Sequence, residues 1–150
     1  MHVIVATDGS PASLLGARQF KQIADSREIT EVTVVAVVSP YAAVPFANEL
    51  TPARSSGLGE STFVDDARAS LAVVVAEFDN WGPAIHSVVR SGSPAQEIIR
   101  LAEELGADLI SMAAGSRGLT PTILLGSTAS RVQHSAPCPV LVCRPTREST

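Results

Sequence analysis

The chain has 150 residues, 45% of them apolar and 17% charged, with a mean hydropathy of +0.24. That is enough for one domain able to hide roughly 70% of its unfolded surface, and too apolar for a disordered segment. A net charge of -4, a pI near 5.3 and a single lysine, Lys21, exclude a nucleic-acid binder that works by neutralising phosphates with a basic patch.

Short Val/Ile runs alternate with longer segments of helical period, the pattern of a parallel sheet whose strands are joined by helices. The first predicted strand is His2 to Thr7, entered from Met1 with no basic segment and long apolar stretch ahead of it. No secretory signal is therefore expected, and the cytoplasm is the default location. Asp8, Gly9 and Ser10 follow, and a helix opens at Pro11. The second strand, Val32 to Val38, is nearly continuously apolar, as a strand covered on both faces should be. No apolar run comes near the roughly 18 residues that would span a bilayer, so no membrane association is expected. The connection from Ser39 to Glu60 holds three prolines and two glycines without sustained periodicity, and reads either as a lid over a site or as a plain surface loop.

After Ser61, apolar residues recur at Val64, Ala67, Leu71, Val74 and Phe78, steps of three and four that place one stripe of a helix against the sheet. Trp81, Gly82 and Pro83 mark a turn into the third strand, Ala84 to Arg90. The next helix turns Ile98, Leu101, Ala102 and Leu105 inward and stops at Gly106, a left-handed end. The fourth strand, Asp108 to Ala113, leads into Ala114-Gly115-Ser116-Arg117-Gly118, a helix begins near Gly126, Ser127 and Thr128, and Pro139 to Cys143 forms the fifth strand. Gly-Ser-Pro-Ala stands at 9–12 and again at 92–95, each time after a strand. Serine can accept from orphan first-turn amides, and proline at the first helical position gives up a donor that had no partner. Two helix starts explain the echo without a duplication.

Cys138 and Cys143 lie five residues apart in what reads as one strand, pointing to opposite faces, so neither a disulfide nor a zinc site is expected. His2, His86 and His134 carry no catalytic context. In an open parallel sheet, ligands bind beyond the carboxyl ends of the strands where neighbouring connections leave on opposite faces. The candidate loops are therefore Asp8 to Ser10 and the glycine-containing segment ending at Gly126-Ser127-Thr128. Small residues let backbone amides approach an anion, and a helix N-terminus adds about half a positive charge. Arg117 either pairs with phosphate or is solvated. No GK[ST], GxGxxG, GxSxG or HExxH sequence is present, so nothing declares a nucleophile.

Three ordered blocks, VIVATDGSPAS, GSPAQEIIRLAEELGADLISM and LLGSTASRVQHSAPCPVLV, together resemble the universal stress protein family over nearly the whole length. The resemblance implies an α/β fold of the adenine nucleotide alpha hydrolase-like kind, with one open five-stranded parallel sheet in strand order 3-2-1-4-5 and helices on both faces. It also implies a dimer, and in one branch of the family ATP binding.

That branch carries GxxG, nine further residues, then G[ST]. Gly115 to Gly118 fits GxxG, but only seven residues then precede Gly126. Keeping the spacing puts Ala113 and Ser116 at the two glycine positions, with Arg117 to Leu125 as the nine. The ungapped reading keeps the family length, although alanine and serine take positive φ less cheaply than glycine.

On this carry-over, Ala6, Thr7 and Asp8 meet the adenosine and Val37 and Met112 line the base pocket. Ala113, Gly115, Ser116, Arg117, Gly118, Gly126, Ser127 and Thr128 surround the phosphates. The ligand is ATP, with Mg as a companion and AMP or cAMP as alternatives. Each residue also has a plainer reading: Asp8 as a turn acid, Val37 and Met112 as core packing, Ser127 as an N-cap. The fifth strand, 139–143, lies at the sheet edge in the family order, and pairing with its own copy would give a homodimer. Two functions follow: an ATP-binding stress-response module, with at most weak hydrolysis because no general base or metal-binding carboxylate is placed near the phosphate loop, or a dimeric interaction protein that no longer holds ATP and offers the 39–60 excursion to an unknown protein partner.

Overall fold

A computed structural model describes residues 1–39, 60–115 and 126–144, the side chains of 60–63 excepted. Residues 40–59 of the expected excursion, and Ser116, Arg117 and Gly118, lie outside the described residues. The elements are β1 (His2–Thr7), α1 (Pro11–Ile23), a single 3-10 turn (Ser26–Glu28), β2 (Glu31–Val38), α2 (Glu60–Ala76), β3 (Ala84–Ser91), α3 (Pro94–Leu105), β4 (Leu109–Ala113), α4 (Ser127–Ser135) and β5 (Val140–Cys143). The five expected strands are all present, with ends that differ by one residue at most. The sheet runs β3-β2-β1-β4-β5 with every pair parallel, the expected order.

Alternation along the strands sends side chains into two separate cores. Val3, Val5, Val32, Val34 and Ala36 pack against Ala17 and Phe20 of α1 and Ala67, Leu71 and Val74 of α2. On the opposite face, Ile4, Ala6, Val35, Val37, Ile110 and Met112 pack against Ala95, Ile98, Leu101 and Ala102 of α3 and Ala129 and Val132 of α4. β1 and β2 are buried almost throughout because they are central and covered on both faces, whereas β3, at an edge, is half-buried to exposed.

Trp81 is more than a turn marker. It packs edge-on to Phe20 at 5.8 Å and against Phe78 at 5.5 Å, with Phe20 to Phe78 at 6.3 Å, so three rings close the first core where α1, α2 and the entry to β3 meet. Gly16 faces the sheet, where a β-carbon would stand 3.4 Å from that of Ala113 and 3.5 Å from that of Cys143, at ordinary contact distance.

The two Gly-Ser-Pro-Ala helix starts differ. Ser10 caps α1 by accepting from the Ser13 amide at 3.2 Å, whereas Ser93 makes no side-chain cap. The start of α3 is tied instead by Glu97, a buried carboxylate that takes bonds from Arg90 (3.2 Å) and Arg100 (3.0 Å). Arg90 also grips Glu104 through two bonds of 3.0 and 2.8 Å, locking β3 to α3. Gly106 ends α3 at φ 60°, as expected, but Leu105 points outward and is 39% exposed. Cys138 precedes β5 rather than belonging to it, and both cysteines are free. Burial pushes the Cys143 thiol up, opposed by its contact with Ser111. Among the described residues, no helix is long and apolar enough to cross a membrane.

Two outcomes are expected. Phe20→Ala empties the centre of the ring cluster and should cost about 3–5 kcal/mol in urea unfolding. The Arg90 guanidinium bonded to Glu104 holds that carboxyl below its usual range. Its small contribution is therefore present above the ordinary carboxylate pKa and is lost as pH falls through the lowered folded value. Glu104→Gln should leave an unfolding midpoint that falls less steeply with acid than that of the parent chain.

Candidate functional site

β1 and β4 are neighbours, with Val3, Ile4 and Val5 opposite Leu109, Ile110 and Ser111. The helix after β1 packs on one face of the sheet and the helix after β4 on the other, so the two connections part at the carboxyl ends of these strands and open a crevice there.

On the β1 side, a chain of hydroxyls sets the turn. Thr7, 6% exposed, bonds through Oγ1 to Ser13 Oγ at 2.7 Å and accepts from the Gly9 amide at 3.2 Å. Ser13 Oγ can instead donate to the Ser10 carbonyl at 2.7 Å. Gly9, at φ 79°, takes the left-handed conformation that the tight turn requires. Asp8 is exposed, and its Oδ1 accepts from the amide of Ser10 at 3.0 Å and from the Ser10 hydroxyl. The turn-acid reading of Asp8 thus holds for one carboxylate oxygen, while Oδ2 makes no hydrogen bond among the described residues. Sequence reasoning missed Thr7, Ser10 and Ser13 as a unit, although three hydroxyl residues spaced three apart around a strand-to-helix turn were the available signal.

Val37 on β2 and Met112 on β4 flank Ala6 of the central β1, all three on the face covered by α3 and α4. They are 9%, 7% and 8% exposed, core residues whose upper edges form the crevice floor. Arg90 lies opposite Val37 in register, but its guanidinium is held by Glu97 and Glu104.

On the β4 side, Ala113 ends the strand against Gly16. The Ala114 amide donates to the Cys143 carbonyl at 2.9 Å, and the Ala114 carbonyl accepts from the Gly126 amide at 2.6 Å. That bond pins together the two ends of the segment 116–125. Gly115 has φ 151°, and a β-carbon on it would stand 3.5 Å from both Cα and N of Gly126. A β-carbon on Gly126 would meet the Ala114 carbonyl oxygen at 3.0 Å.

The N-cap of α4 is Gly126, which makes no side-chain cap bond. Ser127 is therefore the first helical residue, not the expected cap. The first turn contains no acidic residue. Its amides at Ser127, Thr128 and Ala129 have no acceptor within the helix, and the hydroxyls of Ser127 and Thr128 stand beside them on exposed and half-buried residues. Ala6, Thr7, Asp8, Val37, Met112, Ala113 and Gly115 stand at or just beyond the carboxyl ends of β1, β2 and β4, and Gly126, Ser127 and Thr128 at the start of α4, while Ser116, Arg117 and Gly118 lie outside the described residues. An apolar floor, a carboxylate on one rim and first-turn amides with no acceptor among the described residues on the other can receive a ligand with a flat base at one end and an anion at the other. No group of three or more metal-binding side chains occurs among the described residues.

The universal stress protein family profile matches residues 1–144. A universal stress protein of Methanocaldococcus jannaschii is 34% identical over 143 residues, covering 95% of this chain and 81% of that protein. Among solved structures, one whose subject is the structure-based assignment of the biochemical function of a hypothetical protein superposes with a TM-score of 0.75 at 23% identity, covering 98% and 97% of the two chains. A universal stress protein in complex with cAMP gives 0.64 at 22% identity, covering 96% of each chain. A family member from Arabidopsis thaliana with AMP bound gives 0.66 at 17% identity, covering 100% of this chain and 95% of that one. At these identities the superpositions speak for the fold, and the profile and the relative speak for descent: the chain belongs to the universal stress protein family.

Proposed function

We propose that this chain is a cytoplasmic regulatory module of the stress response that holds ATP between the carboxyl ends of β1 and β4 and works as a homodimer. The observation that carries the reading is the adjacency of β1 and β4, which brings the Asp8 turn and the first turn of α4 to opposite rims of one crevice. The structures with cAMP and AMP support an adenine nucleotide as the class of ligand.

The residues fit such a ligand. Val37, Met112 and Ala6 offer an apolar floor for the base, and Thr7 holds the turn that presents Asp8. Asp8 Oδ2 is the acceptor for a ribose hydroxyl or a base amino group, since Oδ1 is engaged within the turn. The Gly126 amide is taken by Ala114, so the phosphates fall to the amides of Ser127, Thr128 and Ala129 and to the two hydroxyls, with the helix dipole adding positive potential. A Mg ion would accompany the phosphates as counter-charge. Gly115 keeps the rim low by lacking a side chain. The module is a binder in this reading, with no hydrolytic role assigned to any side chain.

Calorimetric titration with ATP tests the reading. Micromolar binding that vanishes in Gly126→Arg, with AMP and cAMP compared in the same format, is the expected result. Flat heats for the parent chain would favour the dimeric interaction protein that has lost its nucleotide.

The dimer rests on β5. Among the described residues no strand pairs with its outer edge, and Val140, Leu141 and Val142 are half-buried, so pairing with a copy would satisfy the backbone and cover the side chains. Leu141→Pro should convert the dimer to monomer in solution light scattering, and an unchanged mass would remove this interface.

A further inference from the structure

The chain opens α1 and α3 with the same four residues, Gly-Ser-Pro-Ala, but the residues around the two copies differ. Thr7, Asp8 and Ser13 surround the first, where the second has Arg90, Ser91 and Gln96. The second helix forms although Ser93 makes no side-chain cap. A helix can therefore begin from this tetrapeptide without the hydroxyls of Thr7 and Ser13, and helix initiation leaves their presence unexplained. Both are nonetheless buried, at 6% and 4% exposure, with Ser10 between them at 2%. Burying a hydroxyl is costly unless it finds a partner, so the destination of each proton matters.

One assignment of the three hydroxyl protons uses every contact. The Ser10 carbonyl can only accept, so the Ser13 hydroxyl donates to it at 2.7 Å. Thr7 Oγ1, 2.7 Å from Ser13 Oγ, then donates to that oxygen and accepts from the Gly9 amide at 3.2 Å. Ser10 Oγ accepts from the Ser13 amide at 3.2 Å and donates to Asp8 Oδ1, which also takes the Ser10 amide at 3.0 Å. The bonds thus run one way, from Thr7 by way of Ser13 and Ser10 to the carboxylate. None of the three hydroxyls keeps a proton for a ligand, and Asp8 Oδ2 is the acceptor that the unit leaves open.

We propose that Ser13 is a positioning residue for Asp8: from the first turn of α1 it fixes Ser10, and Ser10 holds the carboxylate in one orientation before a ligand arrives. The role rests on the nucleotide reading above, in which Asp8 Oδ2 accepts from the ligand. Asp8 is exposed, and an exposed carboxylate with no such tie turns among its rotamers and must be ordered on binding. Without the Ser13 hydroxyl, the buried Thr7 proton loses its acceptor and turns elsewhere. Ser10 is then tied to α1 by backbone amides alone, those of Ser13 and Leu14, and its grip on Asp8 Oδ1 loosens. Fully satisfied buried networks are rigid and partly satisfied ones are not, so a hydroxyl that never touches the ligand sets how well the carboxylate is prepared for it.

Two measurements test the role. In NMR of the ligand-free protein, the Asp8 Hα–Hβ couplings should report a single rotamer in the parent chain and averaged rotamers in Ser13→Ala. Thr7→Val, which removes the other hydroxyl of the pair at nearly constant shape, should have the same effect, and Ser93→Ala at the second helix start should have none. In calorimetry, Ser13→Ala should weaken ATP roughly three- to tenfold, the scale of ordering one side chain on binding. The same substitution should change affinity by less than about twofold once Asp8→Ala has removed the carboxylate. Couplings that stay single-valued in Ser13→Ala, or a loss of affinity equal with and without Asp8, would overturn the positioning role and leave the nucleotide reading standing. Flat heats for the parent chain, or an affinity that Asp8→Ala leaves unchanged, would overturn the part that reading gives to Asp8 and the role of Ser13 with it.

Discussion

The handedness of the crossovers governs the rest of the molecule. A helix joining two parallel strands must return in the right-handed sense. While the chain moves outward from β1 to β2 to β3, its helices fall on one face. Once it returns to lay β4 against the other side of β1, they must fall on the opposite face. The two cores record this: α1 and α2 share one, α3 and α4 the other. The crevice is the seam where direction reverses, so it is a consequence of chain routing and needs no further residues to open it. What the sequence adds there is the chemistry of the two rims.

Those rims are built by different means. On the β1 side the turn is held by side chains: Thr7, Ser10 and Ser13 satisfy one another and Asp8 is bound through one oxygen, which leaves the second oxygen in a fixed direction. On the β4 side the rim is held by backbone, through the amide of Gly126 on the carbonyl of Ala114 and the close approach of Gly115 to Gly126. A hydroxyl network tolerates little change in residue type, whereas a backbone contact demands only that nothing larger than hydrogen intrude. The first rim is therefore set by residue type, and the second by the absence of a side chain.

Much of this was legible in the sequence. Strand and helix order followed from the period of the apolar residues, because a strand buried on both faces needs a nearly continuous apolar run, and 32–38, five valines interrupted by Thr33 and Ala36, is such a run. The stop at Gly106 and the Asp8 turn were readable because their residue types have few other uses. Less legible were contacts made between elements. Nothing local announces that Gly16 faces Ala113 and Cys143 across the sheet, that Trp81 completes a ring cluster with Phe20 and Phe78, or that Leu105, the last residue of its helix, turns outward. The plainer reading of Ser127, as an N-cap, fails because the cap is decided by backbone angles, with Gly126 extended at φ -62° and ψ 159°, and a serine next to a glycine looks the same in either register.

Charge is distributed with the same economy. Arg18 and Lys21 are drawn to Glu77 on α2, and Arg90 and Arg100 to Glu97 and Glu104 at α3. These pairs contribute little stability where they are exposed, but they fix where cations are not. The floor beneath the ends of β1, β2 and β4, formed by Ala6, Val37 and Met112, is apolar, and Arg90, which stands opposite Val37 in register, is drawn away from it to Glu97 and Glu104.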